Sequence, residues 1–206
     1  MASIEDQMRD AGEQAAALIE PGMRVGLGTG RTVAWLLRAI SERAVTNLRC
    51  VATSPETEKT ARSLGIPVEP FDHLDQLDIS IDGADQVTSD RWAVKGGHGA
   101  QLREKIVAAA ADRFVVIVSA DKLVEALHPP VPLELNQFGL PATLRSVGQA
   151  VLRAGAPVSP DGGVIADYQG PIEDPAALAS RLDQIPGVAG HGLFPPDLIH
   201  DVIVGS

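Results

Sequence analysis

Short apolar runs alternate with amphipathic stretches of helical period through the first half of the chain. Residues 4–19 carry the helical spacing and stop at Pro21-Gly22, which predicts a helix with a turn after it. MRVGLG (23–28), LRCVAT (48–53), LDISID (77–82) and RFVVIVS (113–119) have the length and apolar character of strands buried in a sheet. Between them TVAWLLRAI (32–40), PETEKTARSL (55–64) and AQLREKIVAAAAD (100–112) read as helices. Strands alternating with helices of this length imply βαβ units and an open, mostly parallel α/β sheet.

From about residue 131 the rhythm changes. VPLEL (131–135) reads as a strand and TLRSVGQAVLRAG (143–155) as a helix closed by Gly155. APVS (156–159) and GVIADY (163–168) read as two short strands joined by Pro160-Asp161-Gly162, residues that favour a turn. PAALASRLDQI (175–185) is a helix and VAGHGLF (188–194) a last strand of this set. The order βαββαβ is that of a ferredoxin-like α+β lobe. LIHDVIVG (198–205) is one more apolar strand, placed to return to the first sheet. The expected division is 1–128 plus 198–206 in the larger domain and 129–197 in the smaller lobe.

Composition narrows the partners. Hydrophobic residues make up 45% of the 206 residues and aromatics only 3%, so the core is aliphatic and no aromatic surface for stacking bases is expected. The formal net charge of −10 and the lack of a basic stripe argue against nucleic acid. An anionic small molecule would need a local cluster of cations. Cys50 is the only cysteine, so neither an intrachain disulfide nor a cysteine-based metal site is expected, which fits a reducing cytoplasm. MASIEDQMRDAGEQ is acidic and lacks the apolar core of a signal peptide, and FVVIV (114–118) is too short to span a bilayer. No membrane association is expected.

Candidate chemistry gathers where strands end. GLGTGRT (26–32) joins a strand to a helix, the place where backbone N–H groups take an anion, although it completes neither G-x-G-x-x-G nor a P-loop. Thr29, Arg31 and Thr32 add side-chain donors to that loop. A purely structural turn accounts for the motif about as well. TSPETEK (53–59) reads as a capping box of Thr53 with Glu56, a structural feature. DGAD (82–85) closes a strand and is a common turn, yet ligands in open α/β sheets bind at such ends, where two carboxylates can move protons. KGGHGAQLREK (95–105) places three glycines after a lysine, backbone suited to close approach. In the helix that follows, Leu102, Ile106 and Ala109 or Ala110 form the expected apolar stripe. Glu104, about 200° around from Leu102, should then point away from the core. Lys122 follows FVVIV and is by itself an ordinary surface lysine. His98, His191 and His200 show no metal spacing, and no metal is expected.

Taken in order, GLGTG…T, the TSxxT-like loop, DGAD, KGG-x-GA-x-x-REK and a strand followed by D-K-L resemble ribose-5-phosphate isomerase of type A. The resemblance is strong from about residue 10 to 125. It continues more weakly through PVPLEL, residues 163–167 and IPGVAGHGLF. It implies a Rossmann-like domain with a ferredoxin-like lobe, and interconversion of ribose 5-phosphate and ribulose 5-phosphate without a cofactor. That reaction belongs to the non-oxidative branch of the pentose phosphate pathway. Carried over residue by residue, the catalytic base falls on Glu104, with Asp82, Asp85 and Lys95 as catalytic partners. Substrate contacts fall on Thr29, Gly30, Arg31 and Thr32, on Asp82, Gly83, Ala84 and Asp85, on Lys95, Gly96, Gly97 and His98, and on Lys122. Homodimers or homotetramers are implied as well. The chain departs from the pattern at His98, where a third glycine is usual, at Arg31 for serine, at Met8-Arg9 for a lysine, and at Ser119 for an aspartate. Rival readings are a non-catalytic sugar-phosphate-binding or sensor protein on the same scaffold, or an isomerase for another sugar phosphate.

Overall fold

The computed structural model describes residues 2–206. Along the chain, α1 (Ile4–Ala16) precedes β1 (Arg24–Leu27), α2 (Arg31–Arg43), β2 (Arg49–Ala52), α3 (Pro55–Ser63) and β3 (Ile79–Asp82). Two short strands, β4 (Gln86–Val87) and β5 (Ala93–Val94), lead to α4 (Gln101–Ala109) and β6 (Phe114–Val118). Then come β7 (Val131–Leu135), α5 (Leu140–Val147), β8 (Ala150–Leu152), β9 (Val164–Tyr168), α6 (Pro175–Asp183), β10 (Val188–His191), β11 (Leu193–Phe194) and β12 (Asp201–Val204). The chain forms two compact units. The first holds residues up to Ala84, Arg103–Leu123 and Asp197–Ser206, and the second Asp85–Leu102 and Val124–Pro196.

In the first unit five parallel strands lie in the order β12-β6-β3-β1-β2. All five residues of β6 are buried, as a strand covered on both faces requires. α1 and α2 supply Ala11, Ala15, Leu36 and Leu37 to the same core as Val25, Leu27, Ile81 and Ile117. A capping box of Ser3 and Asp6 starts α1, and the helix ends at Ala16 rather than running to residue 19. β12 returns beside β6, as the last apolar run predicts. From β1 the chain passes to β2 on one side and then crosses to β3 on the other. That makes the gap between β1 and β3 the topological switch point, the place where open α/β sheets bind ligands at their carboxyl ends.

The second unit holds a four-stranded antiparallel sheet in the order β10-β7-β9-β8. Numbered within its βαββαβ run, that order is fourth, first, third, second, the ferredoxin-like arrangement. One expected helix is shorter than its pattern. Residues 143–155 continue a helical period, but Gly148 takes φ 89° and ends α5 at Val147. The chain then forms β8, whose Ala150 pairs with Tyr168, so the strand expected over 156–159 lies one step earlier. VAGHGLF also divides. β10 pairs with β7, while β11 joins β5 and β4 in a separate three-stranded sheet, which periodicity over so few residues could not foretell.

Candidate active site

At the switch point of the first unit, β1 opens into Gly28–Thr32 and β3 into Asp82–Ala84. Asp82 is buried at the carboxyl end of β3, and its Oδ1 accepts the N–H of Thr29 at 2.9 Å and of Gly83 at 2.7 Å. One carboxylate oxygen therefore ties the two loops together. Gly28 has to be glycine, because a β-carbon there would lie 2.0 Å from the Asp82 carboxyl. Gly83 carries the β3 loop on toward the Thr29 and Ile117 carbonyls, each within 4 Å of its β-carbon position.

The loop after β2 joins this group. Thr29 donates its hydroxyl to Ser54 Oγ at 2.8 Å, Ser54 donates to Thr57 Oγ1 at 3.0 Å, and Thr57 donates to the Gly28 carbonyl at 2.7 Å. Thr53 Oγ1 lies 2.8 Å from Thr29 Oγ1. The helix cap is thus Ser54, which accepts the Thr57 N–H, and not Thr53, whose hydroxyl turns to the GTG loop instead. Thr53, Ser54 and Thr57 are the buried polar residues that a capping-box reading passes over. The signal that could have found them is the third hydroxyl in the TSxxT spacing.

Gly30, with φ 121°, caps α2, and no side chain caps that helix and no acidic residue stands in its first turn. Its first N–H groups remain open to an anion, favoured there by the helix dipole. Arg31 is exposed on that first turn, with Thr32 half-buried beside it. Lys122, beyond β6, is partly exposed in the short 3-10 helix Ala120–Lys122, with Nζ 3.6 Å from Asp121. The Ser119 hydroxyl, first among the causes, holds the Asp121 carboxyl below the usual carboxylate range. Met8 is buried, and Arg9 pairs with Asp6 at 2.8 Å while stacking over Trp35.

α4 presents its buried face differently from the sequence expectation. Glu104 is 4% exposed and Gln101 0%, with Val107 and Ala108 completing the stripe, whereas Ile106 is 50% exposed. A polar residue at each of the first two buried positions conceals that face from a hydrophobicity pattern. The rotation of α4 is set by Val107, whose Cγ1 would lie 2.5 Å from a β-carbon on Gly26 of β1. Glu104 stands one turn N-terminal to Val107 on the same face. Since α4 runs down into the start of β6, that turn lies at the carboxyl-end level of the parallel strands.

In the second unit, Lys95 is 2% exposed at the end of β5. Its N–H donates to the Gly192 carbonyl at 2.8 Å, and its ammonium lies 5.4 Å from the centre of the Phe194 ring, within cation–π range. Asp85 Oδ2 accepts the Gly97 N–H at 2.9 Å, joining the second acidic residue of DGAD to the glycine loop. Gly96 and Gly99 take φ of 105° and 75°, the left-handed region that favours glycine. His98 and Gly97 are exposed, between buried Gly96 and Gly99. His191 is buried beside Asp183 at 3.1 Å, and His200 Nδ1 accepts the Phe114 N–H at 3.1 Å. Among the described residues, no group of three or more His, Cys, Asp and Glu is placed to hold a metal ion.

Within each unit some of the expected residues are joined directly, Thr29 to Asp82 and Gly97 to Asp85. Thr29–Thr32, Asp82–Ala84, Glu104 and Lys122 all lie at the carboxyl ends of the first unit's strands. Asp85 and Lys95–His98 share the second unit's short sheet and its loop. In the first unit the buried carboxylates Asp82 and Glu104 and an open helix N-terminus suit proton transfer on a small anion.

Comparison with known proteins agrees with this chemistry. Residues 49–206 match the family model described as ribose 5-phosphate isomerase A (phosphoriboisomerase A). The chain is 44% identical to a ribose-5-phosphate isomerase A of Methylorubrum extorquens, over 93% of this chain and 89% of that protein. The crystal structure of ribose 5 phosphate isomerase A from Neisseria gonorrhoeae superposes with a TM-score of 0.95 at 31% identity, covering 100% of this chain and 95% of that one. A D-ribose-5-phosphate isomerase in complex with phospho-erythronic acid superposes with a TM-score of 0.94 at 32% identity, covering 99% and 96%.

Proposed function

This chain belongs to the ribose 5-phosphate isomerase A family, and from that premise we propose the assignment of its residues to the steps of the reaction. The activity is the interconversion of ribose 5-phosphate and ribulose 5-phosphate, an aldose–ketose isomerisation. Asp82 and Asp85 bind sugar hydroxyls and assist opening of the furanose ring. Glu104 removes the C2 proton of the open aldose, leaving an enediolate, and returns it to C1, while a proton passes from O2 to O1. A glutamate serves as the base in the same way in triosephosphate isomerase. Lys95 and the N–H groups of the glycine loop stabilise the enediolate oxygen, with no cofactor. The Thr29–Thr32 loop, the N-terminus of α2 and Lys122 hold the phosphate, whose binding orients the reacting carbons.

The observation that carries this reading is the buried Glu104 carboxylate in the first turn of α4, at the level of the strand carboxyl ends. Residues 1–128 with 198–206 form the catalytic domain in this reading and 129–197 the lobe. The complex of a relative with phospho-erythronic acid, a sugar-acid phosphate, supports a sugar phosphate as the ligand. Among the described residues no helix is long and apolar enough to cross a membrane. The activity supports a place in the non-oxidative pentose phosphate branch, and the single buried cysteine is in keeping with a cytoplasmic location. Self-association into a homodimer or homotetramer is supported by the exposed Phe138, Val151 and Leu152. A coupled assay of ribose 5-phosphate conversion by the purified chain tests the reading. Turnover with unphosphorylated ribose equal to that with ribose 5-phosphate, or none with either, contradicts it.

A further inference from the structure

The loop Gly96–Gly99 has a single side chain, and that one, His98, is exposed. Nothing in the loop itself can hold it by packing, and glycine has the most backbone freedom to lose. Its shape therefore depends on hydrogen bonds to its peptide groups. Two come from nearby in sequence: Gly99 N–H donates to the Gly96 carbonyl at 2.9 Å, and Gly97 N–H to Asp85 at 2.9 Å. The other two come from far along the chain. Arg153 Nη1 donates to the Gly96 carbonyl at 3.0 Å and to the Gly97 carbonyl at 3.0 Å.

Arg153 is itself fixed. It follows β8, and its backbone N–H donates to the Ile165 carbonyl at 3.0 Å. Its Nε and Nη2 grip Asp167 of β9 through bonds of 2.9 Å and 2.5 Å. The pair is largely buried, with side-chain exposures of 22% and 14%. A planar guanidinium has five donors in a rigid fork, and four are in use here. Asp167 takes one edge, which leaves Nη1 directed at the loop. Arg153 lies outside every motif singled out in the sequence, and both it and Asp167 lie more than fifty residues from the loop they hold.

We propose that Arg153, oriented by Asp167, is a positioning residue for the isomerisation: by pinning the Gly96 and Gly97 carbonyls it aims the loop's N–H groups. In a trans peptide the C=O and N–H point in opposite directions. Holding the Gly96 carbonyl turns the Gly97 N–H to Asp85, and holding the Gly97 carbonyl turns the His98 N–H the other way. The same anchor limits the motion of the chain that follows Lys95. This inference rests on the assignment of the loop to the enediolate, and its structural half stands independently of that assignment.

The test uses the full chain with Arg153→Ala, Arg153→Lys and Asp167→Asn, read by kinetics and by amide hydrogen exchange. In Arg153→Ala, kcat is expected to fall by about 10- to 100-fold, the scale of a small misplacement in an active site, with KM changed far less. Millimolar guanidinium should restore part of that kcat, whereas tetramethylammonium at equal ionic strength should not. Arg153→Lys, which keeps the charge but not the fork, should also lose most of its kcat, and Asp167→Asn should lose less. Exchange at the Gly97 and Gly99 amides should speed up in every variant while β7 and β9 stay protected. Unchanged loop exchange in a folded Arg153→Ala or Arg153→Lys variant overturns the anchor itself. Faster loop exchange with parental kcat overturns the positioning role. An inactive parent chain with a loop that loosens on substitution places the failure in the isomerase reading instead.

Discussion

Val107 of α4 occupies the space that a side chain on Gly26 of β1 would need, its Cγ1 lying 2.5 Å from that β-carbon position. The contact fixes how far α4 can settle onto the sheet and how it is turned. It thereby fixes the direction of Glu104, one turn away on the same face.

Gly26→Ala is therefore expected to push α4 outward. Overpacking of this kind costs about 1–3 kcal/mol. Denaturant unfolding should show that loss, and steady-state kinetics should show a lower kcat with KM less affected. A variant of parental stability and parental kcat would separate the Gly26–Val107 contact from the placement of Glu104.

Arg31 stands on the open first turn of α2, where a guanidinium can hold a phosphate through two parallel N–H···O bonds. Arg31→Ser should raise KM for ribose 5-phosphate by about tenfold, equal to about 1.4 kcal/mol. Turnover of unphosphorylated ribose, however weak, should not change. Equal KM values in the parent and the variant would assign the phosphate to other donors.

Lys95→Ala should lower kcat by about 10²- to 10³-fold, the scale of removing one donor to a developing oxyanion, and should damage KM less. EDTA should leave the parental rate unchanged, because the charge on the enediolate is met by protein donors. Activity lost in EDTA and restored by a divalent ion would contradict this. Circular dichroism on the variant checks that the buried site still folds.

Burial, first, and then the Glu69 carboxylate push the Cys50 thiol up from its ordinary 9.0 to about 12. A raised folded value favours the neutral thiol in the native state, so this contribution to stability is present below pH 9 and fades as pH rises toward 12. At pH 8 the native chain should react with a disulfide reagent only as fast as it unfolds, and one thiol should appear at once in denaturant. Rapid labelling of the native chain would show that β2 opens locally.

The parallel domain was legible because its strands are short apolar runs bounded by turn residues and its helices have clear periods. The lobe was legible in its order but not in its boundaries. At Gly148 the helical pattern runs on while the backbone leaves it, and pairing with β9, a tertiary effect, decides the structure of 150–152. The family motif singles out Glu104, whereas periodicity places it on the wrong face of α4. A hydrophobic stripe cannot reveal a helix face that buries Gln101 and Glu104. The hydroxyl cluster of Thr29, Thr53, Ser54 and Thr57 was half legible: the spacing was there, but only the sheet order brings the loops after β1 and β2 together.

The central claim is that Glu104 carries the proton between C2 and C1. The most direct measurement is kcat of Glu104→Gln on ribose 5-phosphate, beside circular dichroism and unfolding curves for the same preparation. Glutamine keeps the size of the side chain and removes the base. The account predicts a folded variant whose kcat is lower by at least about a hundredfold, the usual scale for a positioned acid–base group. A folded variant with kcat near that of the parent would contradict it and give the proton to another group.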